Sequence, residues 1–148
     1  MTELNKIALK IISEGKGILA ADESNGTMTK RLEAVNVTST PENRLSFRET
    51  LFSSKSMKEC IGGVILYDET INQTSSFGES IPDLISNSGA VPGIKVDTGV
   101  KNLENSSEEK ITEGLDGLRD RLKKYYKLGA RFTKWRGVYS ISEKYPTK

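Results

Sequence analysis

Ala130-Arg131-Phe132-Thr133-Lys134-Trp135-Arg136-Gly137-Val138-Tyr139 is rich in β-branched and aromatic residues and follows a helix-like segment that ends at Gly129, so it reads as a strand. Side chains alternate along a strand, which puts Phe132, Lys134 and Arg136 on one side and Thr133, Trp135 and Gly137 on the other. Cations on a strand are ordinarily solvated residues of an exposed face. The pattern recurs, however. In Gly93-Ile94-Lys95-Val96-Asp97-Thr98-Gly99, Ile94 and Val96 share one face while Lys95 and Asp97 share the other. In Gly17-Ile18-Leu19-Ala20-Ala21-Asp22-Glu23-Ser24, an apolar run ends at Asp22, with Ile18 and Ala20 on the same face. Charge gathered toward the C-terminal ends of three apolar strands points to a site rather than to three separate solvated edges.

The 148 residues are 35% hydrophobic and 28% charged, as in one ordinary soluble domain. The 22 basic and 20 acidic residues are interspersed and leave a net charge of +2, so neither nucleic acid nor a membrane surface is an expected partner. Met1 to Glu14 lacks the features of a signal peptide and no later run approaches membrane-spanning length, so a cytoplasmic protein is expected. The single cysteine, Cys60, allows no intrachain disulfide and, just before an apolar strand, reads as a small core residue. Histidine is absent, which excludes a Ser-His-Asp triad, a Cys-His pair and a His-rich zinc site. Acid and base work then falls to Asp, Glu, Lys or Tyr.

Leu4, Ile7, Ala8, Ile11 and Ile12 recur at helical spacing within Thr2 to Ser13, and Gly15 and Gly17 close that helix. Ser24 to Thr27 is turn chemistry, with Thr27 expected to cap a short helix that reaches about Val35 and packs through Leu32 and Val35. Thr40 and Pro41 are the expected N-cap and first position of a helix to about Ser53, with Leu45, Arg48 and Phe52 on adjoining turns and Arg44 as a solvated charge. Ile61 to Tyr67 is a continuous apolar run, the mark of a parallel strand covered on both faces. A polar loop over Asp68 to Ser80, a helix from Ile81 to Gly89, a strand over Val91 to Asp97 and a polar connection over Thr98 to Lys110 follow. Leu115, Leu118, Leu122 and Tyr125 stripe a last helix, whose Lys123, Lys124 and Lys127 suit its dipole and are assigned no function.

Strands therefore begin near residues 17, 62, 91 and 130, alternating with helices, which implies right-handed βα units and a parallel sheet. An open doubly wound sheet and a section of a (β/α)8 barrel both fit. A doubly wound nucleotide site carries its glycine-rich loop after the first strand, whereas Gly15-Lys16-Gly17 precedes it. Barrel enzymes place catalytic side chains at the C-terminal ends of several strands, where Asp22, Lys95, Lys134 and Arg136 fall. The charges favour the barrel.

Lys16 to Ser24, Cys60 to Leu66, Gly93 to Gly99, Gly114 to Leu118 and Phe132 to Val138 closely resemble class I fructose-bisphosphate aldolase, in order and with compatible spacing across essentially the whole chain. The resemblance implies a TIM (β/α)8 barrel that reversibly cleaves fructose 1,6-bisphosphate into dihydroxyacetone phosphate and glyceraldehyde 3-phosphate through a lysine Schiff base, with no metal and no cofactor. It further implies a cytoplasmic enzyme of glycolysis and gluconeogenesis that is a homo-oligomer at full length. By the same resemblance, Asp22 handles protons at the cleaved bond and Lys134 is the cation beside the substrate carbonyl. Lys95 and Arg136 are its neighbours, Ser24 and Thr27 fall where the family has phosphate-contacting hydroxyls, and Arg31 and Arg44 match substrate-binding arginines, Arg44 in a more exposed setting.

Such a barrel needs eight strands and roughly 250 residues. Residues 1–148 are accordingly expected to be the N-terminal half of one barrel domain. The family's Schiff-base lysine, catalytic glutamate pair, later phosphate-binding arginine and C-terminal tyrosine fall in the other half. Without its nucleophilic amine, this chain alone is expected to be inactive or nearly so. Unpaired strand edges would also favour self-association. The alternative is a half barrel that holds phosphorylated sugars through Lys95, Lys134 and Arg136 without chemistry.

Overall fold

The computed structural model describes residues 1–13 and 15–147; Glu14 and Lys148, the last residues of the N-terminal stretch and of the chain, lie outside the described residues. Helix α1 (Glu3–Ile11) starts at Thr2, whose hydroxyl accepts the Asn5 N–H. Of its apolar residues only Ile11 is buried, while Leu4 and Ile12 remain exposed. Strand β1 (Gly17–Ala21) leads into α2 (Asn25–Glu33). The cap of α2 is Ser24, accepting the Thr27 N–H, and not Thr27 as expected, so the helix begins earlier. Val35 lies beyond its end and is exposed.

Helix α3 (Pro41–Phe52) has Thr40 as N-cap and Pro41 in its first turn, as its sequence predicts. Thr40→Ala should cost about 1 kcal/mol of stability, seen as a lower denaturation midpoint. Its buried stripe is Arg44, Arg48 and Phe52, spaced four apart on one face. Arg44 is thus not the solvated charge expected. Helix α4 (Met57–Cys60) leaves Cys60 exposed, which corrects its expected place in the core: Met57 turns inward instead.

After β2 (Ile61–Leu66), the expected polar loop contains α5 (Asp68–Ile71), which buries Thr70 and Ile71. Helix α6 (Ile81–Asn87) and β3 (Val91–Lys95) follow. The next connection is a hairpin of β4 (Gly99–Asn102) and β5 (Lys110–Glu113). Helix α7 (Leu118–Lys127) begins one turn later than its stripe suggested, leaving Leu115 exposed. Strand β6 (Phe132–Lys134) ends sooner than expected, so Arg136 is not a strand residue. Among the described residues no helix is long and apolar enough to cross a membrane.

Strands β1, β2, β3 and β6 form one parallel sheet in that spatial order. Chain order and spatial order agree, so there is no reversal of winding direction of the kind an open doubly wound sheet contains. The sheet is a section of a barrel wall. Ala21, Val64, Leu66, Ile94 and Val96 form its outer, helix-covered face together with Phe52, Ile81 and Ile85. On the inner face, the Phe132 ring lies over Gly93, where an added Cβ would come within 2.3 Å of it. The end of α1 closes one end of the same wall: a Cβ on Gly62 would lie 2.0 Å from the Ile11 carbonyl oxygen.

Candidate active site

A cavity of about 920 Å³ opens at the C-terminal ends of β1, β3 and β6. Because inward-facing residues alternate, Ala20 and Asp22 continue one inner row from β1, while Lys95 and Lys134 are register partners on β3 and β6. Lys134 Nζ donates to Asp22 Oδ2 at 2.7 Å. Those residues follow or end the two edge strands of the sheet. Three inter-strand spacings would hold such edges about 14 Å apart in a flat sheet. The contact therefore shows how strongly the wall is curled.

Lys95 Nζ turns to a different carboxylate, Asp97, at 2.7 Å from Oδ1, and also donates to the Asp97 carbonyl at 2.9 Å. The other carboxylate oxygen accepts the Arg136 N–H at 3.3 Å. Burial alone would raise the Asp97 carboxyl, but the Lys95 hydrogen bond and charge, helped by Arg136 N–H and Lys134, hold it below its ordinary value. Arg136 itself lines the cavity from the segment after β6, so that segment carries it there although the strand does not.

Ser24 and Thr27 line the opposite wall with their hydroxyls 3.2 Å apart. Arg31, half exposed, pairs with Glu23, whose carboxylate also lies 3.7 Å from the buried Arg48. Arg48 donates to Thr70 Oγ1 at 2.8 Å, fixing α3 beneath the rim. Seven of the residues expected in a site thus converge: Asp22, Ser24, Thr27, Arg31, Lys95, Lys134 and Arg136.

Arg44 does not join them. Its expected exposed setting is corrected by the structure: it is buried, donating Nε and Nη2 to the two Glu69 oxygens at 2.8 and 2.6 Å and Nη1 to the Ser39 carbonyl at 2.9 Å. A fork with both prongs occupied is a fastening between α3 and α5. The Arg44 hydrogen bonds outweigh burial and keep the Glu69 carboxyl below its usual 4.5. The stabilisation is complete above pH 4.5 and is lost as the pH falls from there through the lowered folded value. Acid denaturation followed by circular dichroism should therefore show a steeper loss below pH 4.5 for the parent chain than for Glu69→Gln.

Glu23, Asp68, Arg121, Lys124 and Tyr125 also line the cavity and were not anticipated. Tyr125 donates to Asp68 Oδ1 at 2.8 Å, and burial together with that carboxylate pushes its hydroxyl up to about 12. Arg121 donates to the Val96 carbonyl at 2.9 Å and to the Gly114 carbonyl, pinning the end of β3 to the base of the hairpin. Their spacing, four apart on α7, was the available signal: both point to the face that meets the sheet. With six cationic and four carboxylate side chains around it, the cavity is net cationic and suits a polyanion of low molecular weight.

The family model described as Fructose-bisphosphate aldolase class-I matches residues 3–148. The chain belongs to the class I fructose-bisphosphate aldolases. It is 51% identical to fructose-bisphosphate aldolase 1 of Toxoplasma gondii over 94% of its own length and 38% of that protein's. It is 49% identical to the cytosolic fructose-bisphosphate aldolase 6 of Arabidopsis thaliana over 99% of its length and 41% of the relative's. A Plasmodium falciparum aldolase, solved in complex with TRAP and a small-molecule inhibitor, superposes with a TM-score of 0.90 at 47% identity, covering 95% of this chain and 40% of that one. This aldolase chain thus spans about two fifths of the length of the relatives it matches.

Proposed function

We propose that these residues form the proton-handling and phosphate-binding arc of a metal-independent Schiff-base aldolase that cleaves fructose 1,6-bisphosphate into two triose phosphates. The observation that carries this reading is the Lys134–Asp22 pair at 2.7 Å, set across the inner face of a curled parallel sheet beside Lys95. A carboxylate within reach of a substrate hydroxyl serves as a general base, and an ammonium at the same point stabilises charge that develops on the carbonyl oxygen. Asp22 takes the proton of the hydroxyl at the cleaved bond, and Lys134 assists carbinolamine and Schiff-base formation at an amine supplied by another part of the barrel. Lys95, Arg136, Arg31, Ser24 and Thr27 hold the phosphates. Arg44, fastened to Glu69, supports the wall from behind. The same reading makes the full-length protein a cytoplasmic, homo-oligomeric enzyme of glycolysis and gluconeogenesis.

On this reading the 148 residues bind the bisphosphate and do not turn it over. Calorimetric titration should show binding of fructose 1,6-bisphosphate and none of fructose. Borohydride reduction in the presence of dihydroxyacetone phosphate should leave the protein's mass unchanged. An adduct on a peptide containing Lys95 or Lys134 would assign the covalent role to that amine and overturn this division of labour.

A further inference from the structure

The geometry points to Asp97 as a positioning residue that sets two cations of the cavity with one carboxylate, so that competence to bind a bisphosphate depends on it. The inference rests on the aldolase reading of the cavity. The Asp97 side chain is 2% exposed, and each of its oxygens is committed: Oδ1 to Lys95 Nζ at 2.7 Å and Oδ2 to the Arg136 N–H at 3.3 Å. Lys95 belongs to β3, while Arg136 follows β6. One buried carboxylate therefore fixes the separation of a side-chain cation from the backbone that carries the next one.

Two further contacts close the frame. The Arg136 carbonyl accepts from Thr112 Oγ1 at 2.6 Å, and Thr98 N–H donates to the Glu113 carbonyl at 2.9 Å. The path from β3 through Asp97 to Arg136, across to β5 and back to Thr98 is thus a ring of hydrogen bonds. Lys95 also faces Lys134 in register, and like charges repel. With Lys134 turned to Asp22 and Lys95 to Asp97, the two ammonium groups are held to separate partners. Without the Asp97 carboxylate, Lys95 keeps only the main-chain carbonyl at 2.9 Å, with no opposite charge, and the Arg136 N–H loses its acceptor.

The test compares the 148-residue chain with Asp97→Asn, which keeps the shape and removes the charge. Hydrogen exchange at the Arg136 amide should accelerate about tenfold or more, with the Ala130 amide, bonded to Tyr125, unchanged. Acylation of Lys95 by an amine-selective reagent should quicken while that of Lys123 does not. Affinity for fructose 1,6-bisphosphate should fall about tenfold or more. Unchanged exchange and acylation overturn the positioning role; a changed amide with undiminished affinity overturns its functional consequence. If the parent chain binds no bisphosphate, the aldolase reading of the cavity fails, and exchange and acylation still decide whether Asp97 sets both groups. Should Asp97→Asn not fold, Asp97→Glu keeps the charge on a longer stem. It must weaken binding if the spacing matters, and parent-like affinity would overturn the proposal.

Discussion

Lys134→Ala, made in an intact aldolase that carries these residues, is expected to lower turnover about 100-fold or more, whereas Lys123→Ala should change it by less than about twofold. Both remove an ammonium group from neighbouring stretches of chain, so the contrast isolates position. Lys134 ends a strand of the barrel wall, points to the inner face and meets Asp22 at 2.7 Å. Lys123 is exposed on α7, where its ammonium lies 3.3 Å from the still more exposed Asp120. Steady-state kinetics would show the loss of Lys134 in turnover more than in substrate affinity, because the proposed role places its work on charge that develops during reaction. Equal activity in both variants would remove Lys134 from the chemistry.

Gly62→Ala should destabilise the chain by about 3 kcal/mol or more, lowering its melting temperature by about 10 °C. The added carbon would sit 2.0 Å from the Ile11 carbonyl oxygen and 2.8 Å from its carbonyl carbon. Those are backbone atoms, which cannot swing aside as a side chain does. Relief requires α1 to leave the end of the barrel wall, exposing Ile11. Gly26→Ala is the matched control, since nothing lies within 4 Å of its Cβ position and its helix would welcome the change. Similar melting curves for the two variants would show that α1 yields freely.

Strands β1, β2 and β3 were legible because each is a short apolar run that the wall covers on its outer face, and β6 because β-branched and aromatic residues follow the helix stop at Gly129. That Asp22, Lys95 and Lys134 share one face was legible because strand alternation fixes facing from sequence alone. The β4–β5 hairpin was not. Gly99 to Asn102 and Lys110 to Glu113 are polar, and what orders them is distant: Thr112 bonds to Arg136, and Ser140 to the Glu108 carbonyl. Arg44 was misplaced for the same reason, since its identity does not reveal that Glu69, 25 residues away, fills its fork. Cys60 followed its neighbours into the core on paper, but the last turn of α4 points it outward.

The Lys134–Asp22 contact joins residues 112 apart in sequence. It closes a loop that includes every intervening strand and helix, and a contact of that span gains nothing until shorter-range pairings have shrunk the entropy of closing it. The pair therefore forms late, after β1 has found β2, β2 has found β3 and β3 has found β6. A ribosome has delivered the first member of the pair long before the second exists. The ion pair is consequently a reporter that these four strands have assembled: a chain stalled before β6 carries Asp22 without its cation.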